Sequence, residues 1–549
     1  MLDRTRRLLN WTSALPHGSA SRSSERRESN PPPLGTTRTE VTAVLLALTV
    51  IGFGVSARGG GGADLGPELV EPQVITSKFG LLELTLEAAP SVVTVAGQVF
   101  MSNVYNGQYI PPLFRLRRND ELHLRLVNRI GPADVQIDTT QATNLHYHGM
   151  AISPRPPADD IYVTIPSLEM IGNPAASVTS HQHTQMAMRD NYVFEYRWRV
   201  PSDHDQGPFW YHSHAHGQAE PQVLSGLSGL FMIDGYIESE FPSLTDARER
   251  ILLLKDIQLP GAVDGAPLTK TINGQANPTI TVTRGQPQIW QIGNIGADAF
   301  FDLEVEGHEF WVLSRDGNFL AVPYRESHLF IPPGARYTVF LNAQKVGQFT
   351  LKSRAVDTGP AGDPNPEVQL GTVVVEAPLL FARQGPSEPG LPLRTRRGLP
   401  SVADTLRAMP IANRRTITFE ESADGNTFFI NGQQWSPDRN DTVVQVGDVE
   451  EWTVRNVTGE HHVFHIHQLD FLVTAGTVPA ADMAGLMDTV NVPYAKDGVP
   501  GEVKILVPFL RDRIEGRFVY HCHILEHEDG GMMANILVQP RSPTSVARR

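Results

Sequence analysis

Histidines two positions apart are the most unusual feature of this 549-residue sequence. With 19 histidines in the chain, random placement gives roughly 0.7 such pairs. Six are present, and their first members are His146, His181, His212, His214, His465 and His521. In a β-strand, residues i and i+2 point to the same side about 6.6 Å apart. Each pair therefore offers two imidazoles to one metal site.

Cys522, the only cysteine, lies between His521 and His523. Strand alternation places its thiol on the side opposite to both imidazoles, so the sulfur would bind a different metal ion. The segments HHVFHIH and HCHILEHEDGGMM add His462, His527 and the thioether of Met532. One thiolate, two imidazoles and a weak thioether form a blue-copper ligand set, whereas a zinc site usually has more thiolates.

The remaining imidazoles point to a cluster of metal ions. The pairs at 146/148, 212/214, 465/467 and 521/523 would bring eight imidazoles to one interface. Eight ligands are too many for one ion and suit a cluster of about three, and imidazole is a good copper ligand. Because Cys522 is covalently joined to two of these histidines, the segment predicts an electron path between the two sites.

The elements that must position these residues repeat three times. The triplet Asn-Gly-Gln precedes a strand-like segment that ends in Asn, at positions 128, 294 and 456. The repeat unit of about 160 residues consists of short alternating runs separated by Gly, Pro and Asn, which indicates β-sandwiches. We predict an all-β chain with sandwich domains at 70–240, 241–380 and 410–540 and a linker at 381–409. The middle copy has no His-x-His pair.

The N-terminal region does not belong to this repeat. Residues 1–40 are rich in Arg, Ser and Pro and predict a disordered basic segment. The apolar run at 41–57 fits a signal peptide or an uncleaved membrane anchor, and both place the remaining chain outside the cytoplasm. The net charge of −14 argues against a nucleic-acid partner.

The motifs LHYHG, WYHSHAHGQ, HHVFHIH and HCHILEHEDGGMM occur in the order found in multicopper oxidases. The chain closely resembles that family over residues 75–540. The resemblance implies three tandem cupredoxin-like Greek-key β-sandwiches, a monomer, and about four copper ions. His146 and His465 would hold the type 2 copper. The type 3 pair would be held by His148, His212, His214, His467, His521 and His523. The type 1 copper would be held by His462, Cys522 and His527, with Met532 axial.

The resemblance also implies an activity. The type 1 copper would take single electrons from a small reducing substrate, and Cys522 would pass them to the cluster, where O2 is reduced to water. Glu528 matches a carboxylate that supplies protons in similar bacterial oxidases, although a surface glutamate is the alternative. Asp159 and Asp160 are further candidates beside the type 2 copper, on weaker grounds.

An insertion between the first two histidine motifs departs from the family. It contains His181, His183, Met186 and Met188, which either bind copper or form a polar loop. Three other histidines, His204, His216 and His308, are not expected to be ligands.

The substrate is the least determined feature of the sequence. Met483, Met487 and Asp488 are candidates for the substrate rim, although Asp488 also fits a turn. Phenols or aromatic amines, as in laccases, are the first expectation, and Cu(I) is the alternative. A non-catalytic copper-binding periplasmic protein is a third reading, disfavoured because every ligand of the family pattern is present.

Overall fold

A computed structural model describes residues 65–135, 141–169, 191–263, 265–378, 384–478 and 480–541. The predicted segments 1–40 and 41–57 lie outside these residues, as do His181, His183, Met186 and Met188. Within the described part of the chain, no helix has the length and apolar character needed to cross a membrane.

The first sandwich pairs a five-stranded sheet, ordered β1-β4-β9-β8-β6, with a four-stranded sheet, ordered β3-β2-β5-β7. Alternation explains how its sheets pack, because Phe194, Tyr196 and Trp198 point inward from β7 while the residues between them are exposed. The elements are β1 Val74–Thr76, β2 Leu81–Val95, β3 Gln98–Tyr105, β4 Leu113–Arg117, β5 Glu121–Asn128, β6 His146–His148, β7 Val193–Arg199, β8 Gly207–His212, α1 Ala219–Ser225 and β9 Ser228–Asp234.

The second sandwich combines six strands, ordered β11-β10-β13-β18-β15-β16, with five, ordered β12-β20-β19-β14-β17. Its core is apolar and centres on Trp290, Phe301 and Phe310. The elements are α2 Tyr236–Glu240, a 3-10 turn Pro242–Leu244, β10 Arg248–Ile257, β11 Thr269–Ile272, β12 Thr279–Thr283, β13 Gln288–Asn294, β14 Phe301–Val305, β15 Phe310–Arg315, β16 Asn318–Glu326, β17 Leu329–Ile331, β18 Arg336–Leu341, β19 Gly347–Ser353 and β20 Val368–Glu376.

The third sandwich has the same six-plus-five arrangement, with orders β22-β21-β24-β29-β26-β27 and β23-β31-β30-β25-β28. Its elements are β21 Asn413–Glu421, β22 Phe428–Ile430, β23 Thr442–Gln445, β24 Asp448–Asn456, β25 His462–Ile466, β26 Phe471–Gly476, β27 Leu486–Met487, β28 Thr489–Val492, β29 Gly501–Phe509, β30 Gly516–Cys522, α5 Leu525–Asp529 and β31 Met533–Gln539, with 3-10 turns at Ala480–Met483 and Asp512–Ile514. The all-β fold of three cupredoxin-like sandwiches is confirmed, while the proposed domain boundaries stay a prediction.

The repeated Asn-Gly-Gln triplet is one turn used three times. Asn106, Asn273 and Asn431 have φ of 50°, 52° and 52°, and the glycine after each is also left-handed. Two consecutive positive φ values fit the type I′ hairpin turn, which favours Asn-Gly. The asparagine side chain also makes the same contact in each copy, because its Oδ1 accepts a backbone N–H from the strand that pairs with the one directly before the turn.

The segment between the second and third sandwiches contains two short helices, α3 Leu393–Arg396 and α4 Val402–Arg407. The sequence predicts a linker at 381–409. Helix α4 buries Ala403 and Leu406 against Val449 and Leu506 of the third sandwich. Its Ser401 side chain accepts a hydrogen bond from Asp404 N and caps the first turn.

Candidate metal centre

Paired strands of the two outer sandwiches carry the histidine pairs. In the first sandwich β6 and β8 run antiparallel with His146 opposite His212. In the third sandwich β25 and β30 run antiparallel with His465 opposite His521. Strand pairing within each sandwich therefore places two imidazoles side by side, independently of the contact between the two sandwiches.

Of the four pairs assigned to the cluster, which all lie in the described residues, only the pair at 146 and 148 lies wholly within a strand. His214, His467 and His523 each follow the end of the strand that holds their partner. Strand alternation alone therefore does not place them. After His467 the chain turns sharply, with Gln468 at φ 65°, so loop geometry also positions the second imidazole.

Eight imidazoles converge on one buried volume. His214 Nε2 and His467 Nε2 lie 3.3 Å and 3.2 Å from His521 Nε2. His148 Nδ1 lies 3.2 Å from His523 Nε2. Three overlapping groups bring possible ligand atoms within 4.8 Å of one another, and they are 146/148/212, 146/465/467 and 214/467/521. The structure thus brings together all eight histidines assigned to the cluster from the sequence.

Unpartnered nitrogens show that a metal fits this volume. The Nε2 atoms of His146, His212 and His465 are buried and have no hydrogen-bond partner among the described residues. Each ring is fixed through its other nitrogen, with Nδ1 2.9 Å from Ser213 O for His212 and 2.8 Å from Asp488 O for His465. Leaving such an atom unpaired costs about 1–3 kcal/mol, which bound copper would remove.

The imidazoles are held in the neutral form that binds metals. Burial lowers the pKa of His212 to about 3 and that of His521 to about 4. Burial also lowers the pKa of His146 and His465 well below the usual value, and the neighbouring imidazoles add to the effect. A neutral ring keeps one lone pair for a metal ion at neutral pH.

A second site lies on the other side of β30. Cys522 Sγ is 3.6 Å from both His462 Nδ1 and His527 Nδ1, and those two nitrogens are 2.9 Å apart. Val463 N donates to the sulfur at 3.3 Å. Burial raises the pKa of the Cys522 thiol, so the thiolate depends on a bound cation for its charge balance.

Met532 is fully buried beside this site. Its backbone N–H donates to His527 O at 2.9 Å, and its carbonyl accepts from Cys522 N at 3.0 Å. These two bonds tie the methionine to two of the three ligands. Its role as the axial ligand stays a prediction.

Two of the carboxylates considered for proton supply are buried and contact the cluster histidines. Asp159 lies 3.0 Å from His146 Nδ1, and burial raises its pKa to about 8. Glu528, on α5, lies 3.3 Å from His214 Nδ1 and 3.1 Å from His521 Nδ1, and burial raises its pKa well above the usual value. Asp160, the other carboxylate considered, instead accepts a hydrogen bond from Tyr162 N at 3.0 Å.

Asp488 does not occupy the predicted place at the substrate rim. Its carboxylate lies 3.1 Å from His148 Nε2, beside the histidine cluster, and is fully buried. Its ion-pair partner is Arg336 of the middle sandwich, at 2.7 Å. Nothing in the sequence around Arg336 indicated this role, because the contact joins residues 152 positions apart.

The outer edge of the cysteine site is lined by polar groups. Thr458 Oγ1 lies 2.9 Å from His462 Nε2, and Glu460 Oε1 lies 3.5 Å from His527 Nε2. A loop of the middle sandwich covers this segment, since Ala361 N donates to Gly459 O at 3.1 Å. Thr458, Glu460 and His527 are all buried, with 5 %, 4 % and 3 % of their surfaces exposed.

The histidines not expected to be ligands lie elsewhere. His204 Nε2 accepts a hydrogen bond from Ala151 N at 3.0 Å. The His216 ring packs on Trp435, and the His308 ring packs on Phe349. None of the three belongs to a group of possible metal ligands in the described part of the chain.

Comparison with known proteins gives consistent matches. Two family models described as "Multicopper oxidase" match residues 247–376 and 408–542. The chain is 24% identical to multicopper oxidase mco of Staphylococcus aureus over 493 residues, covering 86% of this chain and 92% of that protein. It is also 24% identical to cell division protein FtsP of Escherichia coli, covering 79% and 85%.

Solved structures share the fold. A Campylobacter jejuni multicopper oxidase described as a metallo-oxidase superposes with a TM-score of 0.68 at 23% identity, covering 87% of this chain and 96% of that one. A laccase-like multicopper oxidase from Ochrobactrum superposes with a TM-score of 0.65 at 21% identity, covering 86% and 100%.

Proposed function

Because this chain belongs to the multicopper oxidase family, we propose that it oxidises a small reductant at the cysteine site and reduces O2 to water at the histidine cluster. Bound copper would supply the one-electron redox steps at both sites. His462, Cys522 and His527 would hold the type 1 ion. The eight clustered histidines would hold the type 2 and type 3 ions, with His146 and His465 at the type 2 position.

One observation carries this proposal. Cys522 joins the two sites through a short covalent path, since its sulfur faces His462 and His527 while the adjacent residues His521 and His523 belong to the cluster. A protein that only stored copper would not need its two sites joined by adjacent residues of one strand. The arrangement supports electron transfer from the outer site to the inner one.

Protons must accompany the electrons, and Glu528 is the group that we assign to this role. Its carboxyl lies within 3.3 Å of His214 Nδ1 and 3.1 Å of His521 Nδ1. Burial raises its pKa well above the usual value and so favours the protonated carboxyl, from which a proton could be released beside the cluster. Asp159 occupies the matching position on the type 2 side, next to His146.

For the reductant we propose phenols or aromatic amines, as in laccases. The outer edge of the site has hydroxyl and carboxylate groups, Thr458 and Glu460, against the imidazole nitrogens. A phenol or amine could give up its proton to such a carboxylate as it loses an electron. The similarity to a laccase-like oxidase from Ochrobactrum adds support.

Cu(I) is the second candidate reductant, although the same carboxylate does not favour it. Glu460 is a hard ligand, whereas Cu(I) prefers thioethers and thiolates. The thioether of Met483, one of the residues considered for the rim, packs partly buried against the third core. The structural similarity to the Campylobacter protein described as a metallo-oxidase supports this alternative.

A non-catalytic role is the third reading, raised by the similarity to cell division protein FtsP. The convergence of ten histidines and one cysteine in two buried sites speaks against it.

We also propose an extracytoplasmic location, based on the basic and apolar segments at 1–40 and 41–57.

The test is a reductant panel with O2 uptake on the copper-loaded protein. It compares a phenol, an aromatic amine and Cu(I), with hydrogen peroxide measured alongside. The oxidase proposal predicts O2 consumption without peroxide accumulation, and the relative rates identify the reductant. Copper-loaded protein that consumes no O2 with any of the three would favour the non-catalytic reading.

A further inference from the structure

Arg336 is a fully buried arginine at the point where the three sandwiches meet. It is the first residue of β18 in the middle sandwich. Its Nη1 and Nη2 donate to Asp488 Oδ1 and Oδ2 of the third sandwich, both at 2.7 Å. Its Nε donates to Pro208 O of the first sandwich at 3.3 Å. One side chain of the middle sandwich, to which none of the proposed copper ligands belongs, thus contacts both sandwiches that contain them.

Asp488 extends this contact to two histidines of the cluster. Its Oδ1 lies 3.1 Å from His148 Nε2, and its backbone carbonyl lies 2.8 Å from His465 Nδ1. Thr489 Oγ1 donates to the same Oδ1 at 2.8 Å. Histidines that bind metals usually donate their second N–H to a carboxylate or carbonyl, which fixes the tautomer and the ring orientation.

The other nitrogen of His148 shows what this orientation achieves. His148 Nδ1 lies 3.2 Å from His523 Nε2, inside the cluster. With Nε2–H held by Asp488, the ring directs Nδ1 towards the metal volume. A free carboxylate could rotate about its Cβ–Cγ bond, but the two-point contact with Arg336 fixes the plane of the carboxylate.

Stability alone is a poor reason for such a pair. Removing both charges from water offsets much of their attraction, so buried ion pairs contribute little net stability. The segment next to His148 nevertheless leaves space for the Arg336–Asp488 ion pair. Gly149, directly after His148, has φ +87°, and a Cβ there would lie 2.4 Å from Arg336 Nη2 and 2.8 Å from Asp488 Oδ2.

We propose that Arg336 is a positioning residue, through which the middle sandwich orders His148 and the type 3 copper pair by fixing Asp488. The proposal rests on the copper sites assigned above. The middle sandwich would thus help to orient a copper ligand, and Asp488 would connect Arg336 of the second sandwich to His148.

The test measures copper retention in Arg336→Met and Arg336→Lys. Both variants are copper-loaded and titrated with a chelator, while total copper and the blue thiolate absorption are followed together. We expect roughly 10–100-fold weaker retention of copper at the histidine cluster in Arg336→Met. The blue absorption should persist, and Arg336→Lys should fall between wild type and Arg336→Met.

Arg115→Met is the matched control. Arg115 also joins two sandwiches through carboxylates, Asp234 at 2.6 Å and Glu249 at 2.6 Å. Its loss should lower the melting temperature of the copper-free protein without changing copper retention at the cluster. A merely structural role for Arg336 would give the same result as this control and would overturn the proposal.

A double-mutant comparison tests the route through Asp488. If Arg336 acts by fixing this carboxylate, Arg336→Met should add little to the copper loss already caused by Asp488→Asn. Fully additive losses would overturn the proposal, as would equal loss of the blue ion and the cluster ions. If Arg336→Met is insoluble, the Arg336→Lys and Asp488→Asn pair gives the same comparison. Wild-type protein that forms no blue site would instead contradict the proposed function.

Discussion

His521 and Cys522 are consecutive residues of β30 whose side chains face two different sites. His521 Nε2 lies 3.2 Å from His467 Nε2 in the histidine cluster, while Cys522 Sγ lies 3.6 Å from His527 Nδ1 on the other side of the strand. Alternation of side chains in a strand produces this division. The shortest covalent path between the two sites is therefore the backbone between these residues.

Replacing the sulfur should disconnect the outer site. In Cys522→Ser, the hydroxyl stays protonated and is a poor copper ligand, so the blue absorption should disappear and about one copper ion per chain should be lost. Substrate oxidation should cease. Copper analysis and visible spectra check this, with the histidine-bound ions as internal reference. Continued turnover in a colourless variant would refute the electron path.

Glu528→Gln should separate proton delivery from electron transfer. The amide keeps the shape of the side chain that lies between His214 and His521, but it cannot deliver a proton to the cluster. Reoxidation by O2 should slow about 100-fold, in the range of lost general acid–base catalysis. Reduction of the blue site by substrate without O2 should keep its rate.

Stopped-flow measurements resolve these two half-reactions. Glu526→Gln, a partly exposed change on the same helix α5, is the matched control and should leave both rates near wild type. Equal slowing of reduction and reoxidation by Glu528→Gln would show that this residue acts on the fold and not on protons.

Much of the metal centre follows from the sequence, because its information is local. Two-residue spacing and the single cysteine between two histidines identify the ligands before any fold is known. The strand that holds His146 and His148 follows the expected alternation. The shared turn at Asn106, Asn273 and Asn431 explains why the repeat was visible.

The remaining features depend on contacts between distant segments. Arg336 reaches Asp488 across 152 positions, so no local pattern could reveal the pair or correct the rim assignment of Asp488. Likewise, β8, β25 and β30 each end before the second histidine of their pair. That histidine lies in a loop, and the position of the loop depends on contacts between the sandwiches. Helix α4 was missed because its burial depends on the third sandwich.

The copper-free protein should lose stability as the pH falls below neutral. The folded-state pKa of His212 is about 3 and that of His521 about 4, against an unfolded value near 6.5. Below about pH 6.5 the unfolded chain binds protons that the folded chain does not, so each such histidine costs about 1.4 kcal/mol per pH unit down to its folded pKa. Thermal unfolding from pH 8 to about pH 5 checks the sign. A melting temperature that rises on acidification would contradict the buried, neutral state of these rings.

Glu460→Gln should change the preference for charged reductants. Glu460 lies 3.5 Å from His527 Nε2, and an ionised carboxylate there would favour the approach of a cationic reductant to this imidazole. Its neutralisation should raise the KM for a cationic aromatic amine roughly fivefold, or about 1 kcal/mol, and leave a neutral phenol nearly unchanged. Steady-state kinetics with the two reductants provide the measurement.

Glu451→Gln is the control for that comparison, because Glu451 pairs with Arg414 on the surface of the same sandwich. It removes the same charge and should change neither KM. If Glu460→Gln and Glu451→Gln behave alike, the carboxylate beside His527 has no part in selecting the reductant.

The most direct test of the account follows the blue absorption through one redox cycle. Copper-loaded protein is mixed with a phenol in the absence of O2, and O2 is then admitted while peroxide is measured. We predict a blue protein that bleaches with the reductant and regains its colour with O2, without peroxide accumulating. A copper-loaded protein that is colourless, or one that bleaches and stays bleached in O2, would contradict the coupling of the two sites through Cys522.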